Sequence, residues 1–296
     1  MRYEDVFVGV FEKQAQLNYK TYDNSYVVDS LDTLEKLYYN LPNGVNHLIF
    51  DDNFNQEFAL FPSGITKVSF GKSFNQSVDT LPYGVTHINF GTNFNQTIDN
   101  LPKSVTHVSF DQYSQFNQSV DNLPENLLYL KLSYYFDKNV DNLPKTLTTL
   151  LLGNEFNQSV DNLPSSLKYL DLGLTQFNQS VDKLPQSLEG LMFGYYFNQT
   201  VDKLPSSLKY LMFGGKFNQS VDNLPRNLLH LNFIGNDDFL QSLDNIPDSV
   251  EELCLNNKYN QKINKLPKNL KIFRKGAHTD MENVNTSEHP NLTFLA

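Results

Sequence analysis

Three kinds of polar residue recur in this sequence at a spacing that could do chemistry only as a row. The first is aspartate, at Asp79, Asp99, Asp121, Asp141, Asp161, Asp182, Asp202, Asp222 and Asp244. Carboxylates stacked about 5 Å apart would repel by ~0.8 kcal/mol per neighbour even in water, so each needs an offsetting partner. Backbone N–H groups in the following turn supply one, because aspartate commonly accepts from turn backbone. A row of divalent cations would instead require glycine-rich ligand loops, which are missing. The second row is the Asn-Gln pair, from Asn75-Gln76 to Asn218-Gln219, which implies a ladder of side-chain amides bonded along a stack. The third holds four of the six histidines, His47, His87, His107 and His230. His87 and His107 are adjacent in that row, but no carboxylate or thiol joins them to complete a zinc site, so ring stacking and hydrogen bonding are expected.

Enzyme chemistry finds little support. There is no G-x-S-x-G, no P-loop, no H-E-x-x-H and no CxxC. A unique acid, base and nucleophile are hard to place in a chain that spaces its polar residues evenly. The expectation is a non-enzyme with no cofactor and no metal.

What positions these rows is legible in the prolines. Twelve of the thirteen share one column, from Pro42 to Pro267, at steps of 20 residues with one step of 21 and two of 22. From the proline the unit reads P-x-S-L-x-x-L-x-F-G-x-x-F-N-Q-S-V-D-x-L. A fixed period of this length is the signature of a solenoid, in which each unit buries its apolar face against the next. The three insertions, at Asp111 to Gln115, Gly173 to Gln176 and Ile234 to Asp238, all fall between the apolar L-x-F and the next Phe. That place is a loop-bearing rim.

Within the unit, L-x-x-L-x-F is the clear strand. In "SLKYLMF" Leu211 and Phe213 share parity and point inward, while Tyr210 and Met212 point to the other face. Phe and Val of F-N-Q-S-V, such as Phe74 with Val78, close the core from the far wall. The glycine after the strand (Gly71, Gly91, Gly153, Gly194, Gly214) reads as a turn needing positive φ. The fold class is therefore a repeat solenoid, mainly β, with a parallel sheet of one strand per ~20-residue repeat and a cap at each end.

Two columns on the outward strand face vary while the core columns barely do. They carry His87, His107, Tyr129, Lys131, Leu151, Tyr169, Asp171, Met192, Tyr210, Met212 and His230. Aromatic and Met residues with scattered charges have the composition of a protein-binding patch, as against an ordinary solvated sheet. These eleven are the candidate partner-binding residues, and the rim pairs Tyr134-Tyr135 and Tyr195-Tyr196 extend them.

The bulk numbers agree with a folded binding protein. The chain has 296 residues, 40% hydrophobic and 19% charged, and a formal net charge of −10, which argues against nucleic acid or an anionic membrane as the main partner. No run approaches a membrane span, and the N-terminus does not read as a signal peptide. A single cysteine, Cys254, excludes an internal disulfide framework and suits a reducing compartment, so a cytoplasmic location is expected.

The string "LPSSLKYLMFGGKFNQSVDNLP" from Leu204 to Pro225, with eight F-N-Q copies along the chain, resembles the FNIP repeat, found in tandem arrays in amoebae and giant viruses. The resemblance runs from about Asn40 to Phe273. It implies a leucine-rich-repeat-like array and, because such arrays often follow an F-box, a link to a ubiquitin ligase; residues 1–40 carry no convincing F-box. The expected organisation is an N-terminal cap over residues 1–40 with a short helix near residues 31–41, an array of about eleven repeats over 41–275, and a C-terminal cap or tail over 276–296 whose last part is read as mobile. In the helix, Ser30 is the N-cap and Leu31, Leu34, Tyr38 and Leu41 share a face. The expected function is a protein–protein interaction scaffold, its partner a host protein if the source is viral, or a ubiquitin-ligase substrate. A self-assembling structural solenoid and a carbohydrate-binding module are the alternatives.

Overall fold

Each proline-bounded unit of the sequence forms one turn of a solenoid in the computed structural model, which describes residues 24–174, 176–276 and 279–295. The chain divides into two units, residues 1–153 and 154–296. In the first, strands β1 (Ser25–Val28), β2 (His47–Phe50), β3 (Lys67–Ser69), β4 (His87–Phe90), β5 (His107–Phe110), β6 (Tyr129–Lys131) and β7 (Thr149–Leu151) pair in chain order, all parallel. Helix α1 (Leu31–Tyr39) lies between β1 and β2. In the second unit, β8 (Tyr169–Asp171), β9 (Gly190–Met192), β10 (Tyr210–Met212), β11 (His230–Asn232), β12 (Glu252–Cys254), β13 (Ile272–Arg274) and β14 (Thr293–Leu295) do the same.

The proline marks the way into each strand. Its carbonyl accepts from the N–H three residues on, as in Val105 to Pro102 at 2.9 Å and Leu147 to Pro144 at 3.0 Å, so a tight turn aims the chain into the sheet. The inward residues then meet the Phe of F-N-Q. Phe90 and Phe94 stack at 4.0 Å, and Phe94 lies 6.1 Å from Phe74 and 6.3 Å from Phe116 in neighbouring turns. In the second unit the same column runs Phe177, Phe197, Phe217, Phe239 at 6.0–6.1 Å, and Tyr259 continues it.

The amide ladder is present. Asn75 Oδ1 accepts from the Asn95 backbone N–H at 2.9 Å and from Gln96 Nε2 at 3.2 Å, and Asn178 does the same for Asn198 and Gln199. Each asparagine thus satisfies a backbone donor of the following turn. Asn75→Ala leaves that donor without its acceptor and is expected to cost about 1–2 kcal/mol in urea unfolding. Asn75→Asp, which keeps an acceptor there, should recover most of the loss.

The aspartate row works otherwise than expected. Its backbone N–H groups donate to the side chain two residues earlier, a hydroxyl as in Asp99 to Thr97 at 3.2 Å and Asp161 to Ser159 at 3.1 Å, or the Asn139 amide oxygen at Asp141, so that side chain makes the turn. Several of the carboxylates bond the residue after the aspartate in the next turn: Asp121 with Asn142, Asp161 with Lys183, Asp182 with Lys203 and Asp202 with Asn223, at 2.8–3.1 Å. Alternation with Asn and Lys is what offsets the like charges. Only at Asp244, which accepts from the Asn264 N–H at 2.7 Å, does the expected backbone bond form.

The glycine column is corrected as well. Among the described residues the glycines with positive φ are Gly44, Gly64, Gly84, Gly173 and Gly235, none of them in the set of five expected, although Gly173 follows its strand in the same column. Gly91 is required by close approach: a Cβ there would lie 2.6 Å from the carbonyl carbon of Gly71 in the previous turn and closer still to its oxygen.

The ends also differ from expectation. Ser30 caps α1, accepting from the Thr33 N–H at 3.2 Å, but the helix buries Leu34 and Leu37 while Leu31 and Tyr38 stay exposed. The reason is β1, which the sequence reading did not contain and which sets the face the helix packs on. At the other end, residues read as an irregular tail add β14 to β13, and Ile263 bridges Val284. Residues 1–23 of the expected N-terminal cap lie outside the described residues.

Candidate functional site

The two variable columns stand where parallel pairing puts them, on the strand face opposite the core. In the first unit, paired strands bring His87 and His107 into register, and their rings stack at 4.2 Å, 7° from parallel. Each ring is held from the side: the Nδ1 atoms lie 2.8 Å from the hydroxyls of Thr86 and Thr106. Tyr129 continues the row 5.8 Å from His107, and His47 bonds Ser69 across the strands at 2.9 Å. Tyr129 is 2% exposed and Leu151 5%, while His87, His107 and Lys131 are half-buried.

In the second unit, Tyr210 stacks on His230 at 4.7 Å. His230 Nδ1 meets Glu252 Oε2 at 3.1 Å, and Arg274 Nε donates to the other carboxylate oxygen at 2.8 Å. The bond from His230 and then the Arg274 charge hold the Glu252 carboxyl down at about 2 despite its partial burial. Cys254, beside Glu252, is pushed up to about 12 by burial and that carboxylate, which disfavours its thiolate. Met192, Met212, Tyr169 and Asp171 are buried, and Asp171 accepts from the Gly173 N–H at 2.9 Å. Tyr210 and His230 are half-buried.

The face is therefore a packed layer more than an open patch. Parallel strands lie under 5 Å apart, so large side chains on one face cover each other. Of the eleven candidates, His87, His107 and Lys131 in one unit and Tyr210 and His230 in the other are half-buried and reach the surface. The other six are buried.

His87 and His47 are expected to give this face a pH dependence. Burial, then the neighbouring His107, Lys67 and His47, hold His87 down from 6.5 to about 4, and His47 is lowered in the same sense. The unfolded chain takes up the proton first, so stability present above pH 6.5 is lost as pH falls towards 4. Discounted for the ring's partial exposure, the loss between pH 7 and 5 is expected to be about 1 kcal/mol. His87→Gln should flatten that part of a urea-denaturation series.

The rim that carries the insertions holds a second set of aromatic rings. In the first unit Tyr113 lies 5.9 Å from Tyr134, which meets Tyr135 edge-on at 5.0 Å. In the second, Tyr195 and Tyr196 meet at 5.1 Å and 87°, and Lys216 Nζ stands 5.6 Å from the Tyr195 centroid. The sequence reading had the pairs but missed Tyr113 and Lys216. The signal was available, since all fall ten or eleven residues after a proline of the column. Among the described residues, no three His, Cys, Asp or Glu side chains gather as a metal site would require.

The model of the family described as FNIP Repeat matches residues 37–73, 74–113, 139–175, 177–216 and 200–236. Among solved structures, the chain is similar to CroV588, described as a novel circular LRR protein, at 36% identity and a TM-score of 0.70 over 86% of this chain and 44% of that one. The chain thus spans less than half the length of CroV588. YopM from Yersinia enterocolitica (16% identity, TM-score 0.54, covering 98% of this chain and 72% of that one) shares the fold. So does the functional domain of InlJ from Listeria monocytogenes (14%, 0.60, 92% and 62%). No curated protein matches.

Proposed function

We propose, of a chain that belongs to the FNIP repeat family, that it is a non-enzymatic scaffold which binds another protein. One observation carries this reading. The core, the amide ladder and the aspartate row repeat from turn to turn, whereas the strand face and the rim change their side chains. Invariant packing with variable display suits recognition, and the likeness to leucine-rich-repeat structures supports it. Of the eleven candidates, the half-buried His87, His107, Lys131, Tyr210 and His230 are those within a partner's reach. A host protein as partner, met in the host cytoplasm, accords with the CroV588 likeness, and presentation of a ubiquitin-ligase substrate remains the finer variant of the same role. No helix among the described residues is long and apolar enough to cross a membrane.

The test is affinity capture from an amoebal lysate, comparing wild type with a variant carrying His107→Ala, Lys131→Ala and Tyr210→Ala. A protein captured by wild type and lost from the variant, with thermal unfolding unchanged, supports the strand face as its site. Identical capture by both moves the site off that face. Self-association is the second reading, favoured by β1 and β14, which each have a single strand partner among the described residues while Val27 and Phe294 are exposed. Molecular mass that rises with concentration would mark it.

A further inference from the structure

The geometry points to the rim of the first unit, at Tyr113, Tyr134 and Tyr135, as the seat of a cationic side chain: an arginine or lysine in a basic segment of the partner. This rests on the scaffold reading and names the partner's chemistry. Tyr113 is 59% exposed and Tyr135 43%, so their faces are open to a ligand. They are also held in place. The Tyr134 N–H donates to the Gln112 carbonyl at 3.0 Å, which seats one turn on the other, and the three rings touch in series.

The second unit shows what this position attracts. There Tyr195 has the same place after its proline as Tyr134, and the chain supplies its own cation: Lys216 stands over the ring and is paired with Asp238 at 2.7 Å. In the first unit Lys216's place, in the turn after the tyrosine, is held after Tyr113 by Tyr135; the two turns before Tyr134 add the uncharged Thr92, Asn93 and Gln112 at these rim positions, and Lys72, one turn further back, is paired with Asp52. Asp111 and Asp137 flank the rings in sequence, as Asp238 backs Lys216 in space. Residues 1–153 hold seventeen acidic and ten basic side chains, so most of the chain's net charge of −10 lies in this unit. A ring face attracts a cation through its quadrupole, and the surrounding negative field brings the cation there.

The probe is an octa-arginine peptide titrated into the full chain at physiological salt and followed by fluorescence anisotropy, with octa-glutamine as control. Tyr113→Leu with Tyr135→Leu keeps apolar bulk and removes the quadrupoles. The dissociation constant is expected to rise about five-fold or more, the scale of one or two exposed cation–π contacts. Tyr195→Leu, whose cation is its own Lys216, should leave it unchanged. The melting temperature checks the fold, and Tyr135→Leu alone serves if the double variant is destabilised. Equal binding by wild type and the double variant would reduce the effect to general charge attraction and overturn the seat, as would absence of octa-arginine binding. In either case a protein lost through the strand-face variant would leave the scaffold reading standing; failure of that capture alone would leave the ring seat standing.

Discussion

Gly91→Ala is expected to lower stability by about 3 kcal/mol or more, a fall of ~6–12 °C in melting temperature for a chain unit of this size. The cause is backbone against backbone. The added Cβ would sit 2.6 Å from the Gly71 carbonyl carbon and 2.9 Å from the Phe70 oxygen. Neither can rotate away, so the turns must separate, and separation loosens the sheet and the phenylalanine stack together. Gly84→Ala is the control. Gly84 has φ of +118° but nothing within 4 Å of its Cβ position, so alanine there carries only left-handed backbone strain, roughly 1 kcal/mol. Thermal and urea unfolding of both variants decide the matter. A Gly91→Ala protein as stable as Gly84→Ala would refute close approach as the reason for that column.

Two of the column's five exceptions (Asp51, Asp111, Ser133, Ile234 and Asn256) fit the same account. Ser133 and Asn256 replace glycine in the two turns that follow a 22-residue step. There the longer preceding loop leaves room, and the side chains fill it with hydrogen bonds: Ser133 Oγ donates to the Phe116 carbonyl at 2.6 Å, and Asn256 Nδ2 to that of Phe239 at 3.5 Å.

Phe94→Ala is expected to cost about 3–5 kcal/mol, the range for emptying a buried phenylalanine site. The ring is fully buried and in contact with Phe90, Phe74 and Phe116. It therefore touches its own strand and the turns before and after. In an array whose stability is a sum of units and interfaces, the loss should appear first as local opening. Hydrogen exchange should quicken in β4 and β5 more than in β2. Phe94→Leu, which leaves a smaller void, should recover more than half the loss. If Phe94→Ala unfolds within 1 kcal/mol of wild type, the stack is not what joins neighbouring turns.

Much of the candidate site was legible in the sequence, and its accessibility was not. The parity of "SLKYLMF" placed Tyr210 and Met212 on the outward face, as found. It did not show that Tyr129 and Met192 are covered there, because burial depends on the bulk of residues 20 or more positions away. The stacking of His87 on His107 was anticipated, since the strands repeat in register. The ion pairing of His230, Glu252 and Arg274 was missed: His230 and Glu252 follow one another in the same column, but Arg274 joins them diagonally from the second column.

By itself the sequence determined the period, the parallel strand after each proline, the two walls of the core, the amide ladder and the cap at Ser30. Each of these follows from propensity, alternation or identity between successive units, which a chain carries along its length. Tertiary structure decided why Gly91 is glycine, what each aspartate bonds, which face α1 buries, that residues 293–295 form a strand, and that Lys216 covers Tyr195. Those depend on the distance between turns and on side-chain direction. Both are set only when one turn comes to rest on the next.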